Sequence, residues 1–248
     1  MSEIVQPSEI EKPTNRLLAA LPADELARLL SKTREVPLEF ARIIHEQHEV
    51  VRCVYFPVSG IISLLLAVEE RARLEVGIVG SEGFVGLSVF NGAKQSSNRA
   101  IVQGKGAALE MNAADFTAEC DKGGALPRIL ERYTYSLLMQ VSQLAACNRF
   151  HETQSRLARW LLMTGDCMKR DEFQITQEFL SDMLGVRREA VNKSATNLQR
   201  IGLINYWRGN VSILDRAGLE AAACRCYFII KQEIENFLPG FKTRQKGC

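Results

Sequence analysis

A chain of 248 residues has room for one large or two ordinary domains, and its 46% hydrophobic and 24% charged content is that of a soluble globular protein. No apolar run nears the roughly 18 to 20 residues of a membrane span, and the polar, acidic N-terminus does not read as a signal peptide, so a cytoplasmic location is expected. The net charge of +2 hides an asymmetry: residues 1–153 carry 16 Lys/Arg against 19 Asp/Glu (−3), and residues 154–248 carry 15 against 10 (+5). A positive excess on the C-terminal half suits a phosphate-bearing partner there.

In chain order, residues 1–15 are polar with Pro7 and Pro13 and are expected to form a loose arm. Leu17 to Leu30 predicts one or two short helices, with Asp24 and Glu25 near a helix start. From about Val36 to Met111 the pattern becomes short apolar runs separated by glycines, at 41–44, 50–56, 61–68, 74–79, 84–89, 100–102 and 107–111. Short strands at regular spacing with Gly turns predict a β-barrel or sandwich.

Helical sequence opens at residues 112–116, and a long helix is predicted from about Pro127 to Asn148. Leu130, Thr134, Leu137, Val141 and Leu144 recur at alternating spacings of four and three, a heptad seam that marks Leu130, Leu137, Val141 and Leu144 as a dimer interface. Leu138, Met139 and Ala145 add a second apolar face, so the helix is expected to serve both its own barrel and a partner. Another helix follows from His151 to Met168, and a last one from Asp215 to Leu238.

Between these lies Phe173 to Tyr206, the most informative stretch. A short strand (Phe173, Ile175) leads to Thr176 and Gln177 as a helix start, then a short helix carrying Leu180, Met183 and Leu184. Gly185 breaks it, and a second helix buries Val191, Ala195 and Leu198, stopping at Gly202. Two helices joined by a Gly-containing turn of three to four residues form a helix-turn-helix. The polar face of the second helix holds Arg187, Arg188, Glu189, Asn192 and Lys193, side chains suited to base edges in a major groove. Residues 203–214 then read as a hairpin about a Gly209-Asn210 turn with Arg208 at its tip, a wing whose arginine suits a phosphate.

The seven cysteines, at 53, 120, 147, 167, 224, 226 and 248, show no CxxC spacing, so scattered reduced thiols and no metal are expected. Cys224 and Cys226 are the one close pair, and C-x-C alternates poorly around a helix. His45 and His48 (H-x-x-H) are expected to be solvated. No nucleophile–base pair or carboxylate pair stands out, which argues against an enzyme.

V-Y-F-P-V-S-G (54–60), R-L-A-R-W-L-L (156–162) and L-G-V-R-R-E-A-V-N-K (184–193) together resemble the Crp/Fnr family of bacterial transcription regulators, over nearly the whole chain. The resemblance implies an α+β chain: an N-terminal cyclic-nucleotide-binding-like β-roll over residues 1–125, a dimerisation helix over 126–150 and a winged helix-turn-helix over 151–248. It also implies a homodimeric, sequence-specific regulator on double-stranded DNA, with RNA polymerase as a further partner. Arg188 and Glu189 fall where family members contact guanine and cytosine, Lys193 where an arginine is common, and Thr176 and Gln177 where phosphate is often contacted.

Family members that bind cyclic nucleotide use a Gly-Glu pair for the ribose and an Arg-Ser pair for the phosphate. Here Leu87 follows Gly86, and residues 95–99 (Q-S-S-N-R) lack the Arg-Ser, so cyclic AMP is not expected. Glu82, Gly83, Gly86, Ser97 and Arg99 remain the expected lining for another, unknown small-molecule effector. No cofactor is expected, because the N-terminal cysteine cluster of the iron–sulfur branch is absent. The alternative is a ligand-binding regulatory module whose helix-turn-helix serves a protein interface.

Overall fold

The computed structural model describes residues 14–69 and 72–237, so all but the last two residues of the expected N-terminal arm lie outside it. The chain opens with helices α1 (Arg16–Ala19) and α2 (Ala23–Leu30). The Asn15 side chain caps α1 by accepting from the Leu18 N–H, and its Nδ2 donates to the carbonyls of Pro57 and Gly83, 2.9 Å each. That small hub fastens the entry helix to the sheet.

The N-terminal half is a roll of β1 (Thr33–Leu38), β2 (Ile43–His45), β3 (Cys53–Glu69), β4 (Ala72–Val79) and β5 (Arg99–Asn112), in the order β1-β5-β3-β4 with β2 also on β5, all antiparallel. Seven short strands are expected from the glycine spacing; instead β3 and β5 are long and continuous. Their register runs from Cys53↔Asn112 to Leu65↔Arg99 and slips near Pro57, Ser59 and Ile61. Gly and Pro here bend an unbroken ladder through bulges rather than ending strands. The run 84–89 is no strand either: Val85 makes a single bridge to Tyr55, and α3 (Leu87–Phe90) follows.

After β5 come α4 (Ala113–Asp121) and the 26-residue α5 (Ala125–Phe150), then α6 (Thr153–Met168) across a two-residue corner. The C-terminal unit is β6 (Glu172–Gln174), α7 (Gln177–Leu184), α8 (Arg188–Arg200), the hairpin β7 (Ile204–Trp207) and β8 (Asn210–Ile213), then α9 (Arg216–Ala222) and α10 (Cys226–Asn236). The single helix expected over 215–238 is therefore two, parted at residues 223–225. No described helix is long and apolar enough to cross a membrane.

Two cores result. One fills the roll, where Phe56, Phe84, Phe116 and Tyr133 form a chain of ring contacts at 5.4 to 6.2 Å. The other is shared between halves: Ile61, Leu65 and Ile78 of the sheet pack with Trp160, Leu180, Leu184, Val191 and Leu198.

The heptad seam of α5 is largely spent within the chain. Leu130 and Leu137 lie in the roll's core and Leu144 in the shared one, with Val141 half-buried. Sheet burial claims that face, while Tyr135 and Leu138 on the opposite face are 60% and 58% exposed. His45 is also buried rather than solvated, and that burial pushes its imidazole below its ordinary value.

Candidate nucleic-acid interface

Local chemistry builds the reading unit. Thr176 caps α7, its hydroxyl accepting from the Phe179 N–H at 3.1 Å. α7 ends on Gly185 in the left-handed region (φ +59), and a Cβ there would stand 2.7 Å from Leu74 Cδ1. Only glycine allows both that turn and that close approach.

α8 turns Val191, Ala195 and Leu198 into the core and leaves Arg188, Glu189, Asn192 and Lys193 exposed on one face. Glu189 lies in the first turn, where a carboxylate complements the helix dipole. Arg187 is the exposed N-cap residue, with extended backbone. Gln177 links the two helices: its Nε2 donates to Asn192 Oδ1 at 3.2 Å, and its Oε1 accepts from Arg188 Nε at 3.4 Å. Gln177 therefore holds the exposed Arg188 and Asn192 side chains in place on α8.

The wing turn is Arg208-Gly209, both at positive φ (+49 and +79), rather than the expected Gly-Asn; Asn210 already begins β8. Two residues at positive φ make the tight hairpin turn whose twist suits the flanking strands. Arg208 lies over the Trp207 ring, 5.5 Å from its centroid. Tyr206 Oη donates to the Ile175 carbonyl at 3.0 Å and ties the wing back to the helix-turn-helix.

Thr176, Gln177, Arg188, Tyr206, Arg208 and Gly209 together line one cleft of about 370 Å³. A second groove of about 780 Å³ runs along the other side of α8, past Glu189, Asn192 and Lys193 to Gln154 at the start of α6. Seven of the eight expected contact residues thus line two openings flanking one helix, and Arg187 sits at that helix's start.

The expected effector residues do not share a cavity. Glu82 is buried, its Oε1 accepting from the Gly80 N–H at 2.8 Å, and burial pushes its carboxyl above the usual range. It lines a cavity of about 210 Å³ with Arg16, Lys169 and Tyr227; none of the other four lines it. Gly83 is covered by Tyr133, whose Oη would stand 2.5 Å from an added Cβ, and Gly86 (φ +133) packs on Val54. Ser97 is exposed, and Arg99 pairs with Glu46 at 3.2 Å.

One cluster was not expected. Cys147, His151, Cys224 and Cys226 place their ligating atoms within 4.8 Å of one another, and the three thiols are buried. The sequence signal was a Cys and a His four apart at a helix end, joined to C-x-C some 77 residues later. The objection to C-x-C falls away because Cys224 precedes α10 and Cys226 opens it.

Comparison with known proteins agrees with this geometry. Residues 155–222 match the Crp-like helix-turn-helix domain. The nitrogen fixation regulation protein FixK of Bradyrhizobium diazoefficiens is 23% identical over 220 residues, covering 85% of this chain and 90% of its own. A putative Crp/Fnr-family transcriptional regulator from Eubacterium rectale superposes with a TM-score of 0.66 at 16% identity, over 84% of this chain and 98% of its own. The c-di-GMP-responsive global regulator CLP of Xanthomonas campestris gives 0.64 at 17% identity, over 77% and 99%. A Crp-like helix-turn-helix over residues 155–222, joined by a long helix to a sheet domain, gives this chain a fold similar to that of Crp/Fnr-family transcription regulators.

Proposed function

We propose that the protein acts in the cytoplasm as a homodimer on near-palindromic duplex DNA, each α8 entering one of two successive major grooves about 34 Å apart. The observation that carries this is the convergence of Thr176, Gln177, Arg188 and Arg208 on one cleft beside the open polar face of α8. In this reading Arg188 reads a guanine, Glu189 a cytosine, Lys193 a further base with less geometric demand than arginine would impose, and Thr176, Arg187 and Arg208 hold phosphates. RNA polymerase is the partner such a regulator serves.

The dimer forms on the exposed face of α5. Tyr135, Leu138, Ser142, Ala145 and Arg149 repeat at spacings of three and four, parallel to the seam already taken by the sheet.

Cyclic AMP is not the signal. Leu87 opens α3 where a ribose-binding carboxylate is needed, and Arg99 is already engaged by Glu46. A ribose hydroxyl buried without its partner costs ~1 to 3 kcal/mol. The unknown effector takes another site.

Selection of tight sites from randomised duplex DNA, with and without cyclic AMP, tests this reading. A palindromic consensus recovered without nucleotide is expected. Recovery only with cyclic AMP would overturn the effector reading alone; no enriched sequence in either arm would overturn the DNA reading and favour a protein partner for the helix-turn-helix.

A further inference from the structure

The corner where α5 meets α6 carries a donor set that DNA reading does not use. Cys147 lies in the last turn of α5, and His151 is its C-cap with extended backbone (φ −109, ψ 145). Cys224 lies in the link before α10, and Cys226 is that helix's first residue. Cys147 Sγ and Cys224 Sγ are 3.4 Å apart, Cys226 Sγ and His151 Nδ1 3.5 Å apart, and all four atoms fall within 4.8 Å.

Those separations match a single tetrahedral ion. Two Zn–S bonds of about 2.3 Å at the tetrahedral angle put sulfurs about 3.8 Å apart, and a Zn–S with a Zn–N bond gives about 3.6 Å. A cubane cluster would need its cysteines spread much wider. Three soft thiolates and an imidazole select zinc among common divalent ions over magnesium or calcium, which want oxygen.

Two further observations point to a ligand. Arg156 and Arg159 are buried in the same corner, and their charges act on the Cys147 thiol. Their hydrogen bonds go to the Leu184 carbonyl and the Met163 sulfur, and their Nε–H groups find no partner among the described residues. A Zn²⁺ with three thiolates and a neutral imidazole carries one net negative charge, which those guanidiniums would balance. The Gln143 Nε2 also donates to Cys226 Sγ at 3.1 Å, the kind of amide-to-sulfur bond that supports a bound thiolate from behind.

We propose that Cys147, His151, Cys224 and Cys226 form a Cys₃His zinc site that pins the corner between the connecting helix and the DNA-binding unit. Binding transfers no electrons: Zn²⁺ sheds its coordinated waters, three thiol protons leave to solvent, and four bonds to the protein replace those to water. The filled site closes, leaving no open position, so its role is structural or regulatory rather than catalytic.

The test uses the full chain, purified under reducing conditions, stripped by a chelator and titrated with Co²⁺ alone, then with Zn²⁺. One Co²⁺ per chain is expected, with thiolate charge-transfer bands and the intense visible bands of tetrahedral cobalt, lost as Zn²⁺ displaces it. Zn²⁺ should shield Cys147, Cys224 and Cys226 from alkylation while Cys53 and Cys120 react as before. Gln143→Ala should weaken Zn²⁺ binding by about 10- to 100-fold, and Cys147→Ser by more. Cobalt uptake without charge-transfer bands, or undiminished in a Cys147→Ser/Cys224→Ser variant, would overturn the proposal. If those variants fail to fold, the wild-type alkylation map decides, and unchanged reactivity of the three thiols with Zn²⁺ would overturn it. So would a disulfide between two of them, formed by oxidation with oxygen in air, with no metal taken up from the titrant.

Discussion

The Trp160 indole Nε1 donates to Glu75 Oε1 at 3.0 Å, joining α6 of the DNA-binding half to β4 of the sheet. Both residues are buried, and neighbouring Gln103 extends the seam, accepting from Ser63 at 2.6 Å and donating to Thr164 at 2.7 Å. The two halves thus meet through a polar contact set inside an apolar one.

The burial of Glu75 at that contact makes stability depend on pH. Burial, only partly opposed by Ser63, Arg159 and Trp160, pushes the Glu75 carboxyl up to about 7 from 4.5. The folded chain therefore holds a proton that the unfolded chain releases, and stability falls as pH rises from 4.5 through about 7, levelling above. The gap is worth about 3 kcal/mol. Denaturant titrations from pH 4.5 to 8 should show that fall in the wild type and a flatter line for Glu75→Gln, which keeps an acceptor for Trp160.

Arg188 and Arg208 should fail in different ways. Arg188→Ala is expected to cost ~1 to 3 kcal/mol on the selected site and to relax one base position. Arg208→Ala should weaken specific and random DNA alike and make the salt dependence shallower by about one contact. Binding isotherms on both DNAs at several salt concentrations separate the two; equal losses for Arg188→Ala would refute its base-reading role.

The two faces of α5 give opposite phenotypes. Leu137→Ala opens a cavity in the roll's core and should cost about 2 to 5 kcal/mol of folding stability with the dimer retained. Leu138→Glu should leave the fold intact and yield monomers. Sedimentation alongside thermal melting checks both.

The helix-turn-helix depends on two small residues. Thr176→Ala removes the hydroxyl that accepts from the Phe179 N–H and should cost about 1 kcal/mol. Gly185→Ala forces a side chain into the left-handed region and against Leu74, at about 1 to 3 kcal/mol. Melting temperatures rank them, with Gly185→Ala the lower.

The reading unit was legible in sequence because its signals are local: a cap at Thr176, a glycine at 185 and an apolar face on α8 all fall within one 34-residue stretch. The roll was legible in class but not in detail, since a glycine that ends a strand and one that bends it look alike before the partner strand is placed. The α5 seam failed for a related reason. A helix with two apolar stripes does not say which stripe its own sheet will take, and Leu130, Leu137 and Leu144 went inward. The thiol cluster was hidden by distance along the chain, because only the fold brings Cys224 back to Cys147.

Because Ile61, Leu65 and Ile78 complete the core around Trp160 and Leu184, the C-terminal half is not a free-standing cassette. Residues 151–237 taken without this sheet keep an apolar underside that Ile61, Leu65 and Ile78 cover here, and Trp160 loses the Glu75 acceptor. Exchanging binding specificity between such proteins therefore succeeds at the scale of α8 and the wing, whose outward side chains owe nothing to the sheet, and fails at the scale of the whole unit unless Glu75 and its apolar neighbours travel with it.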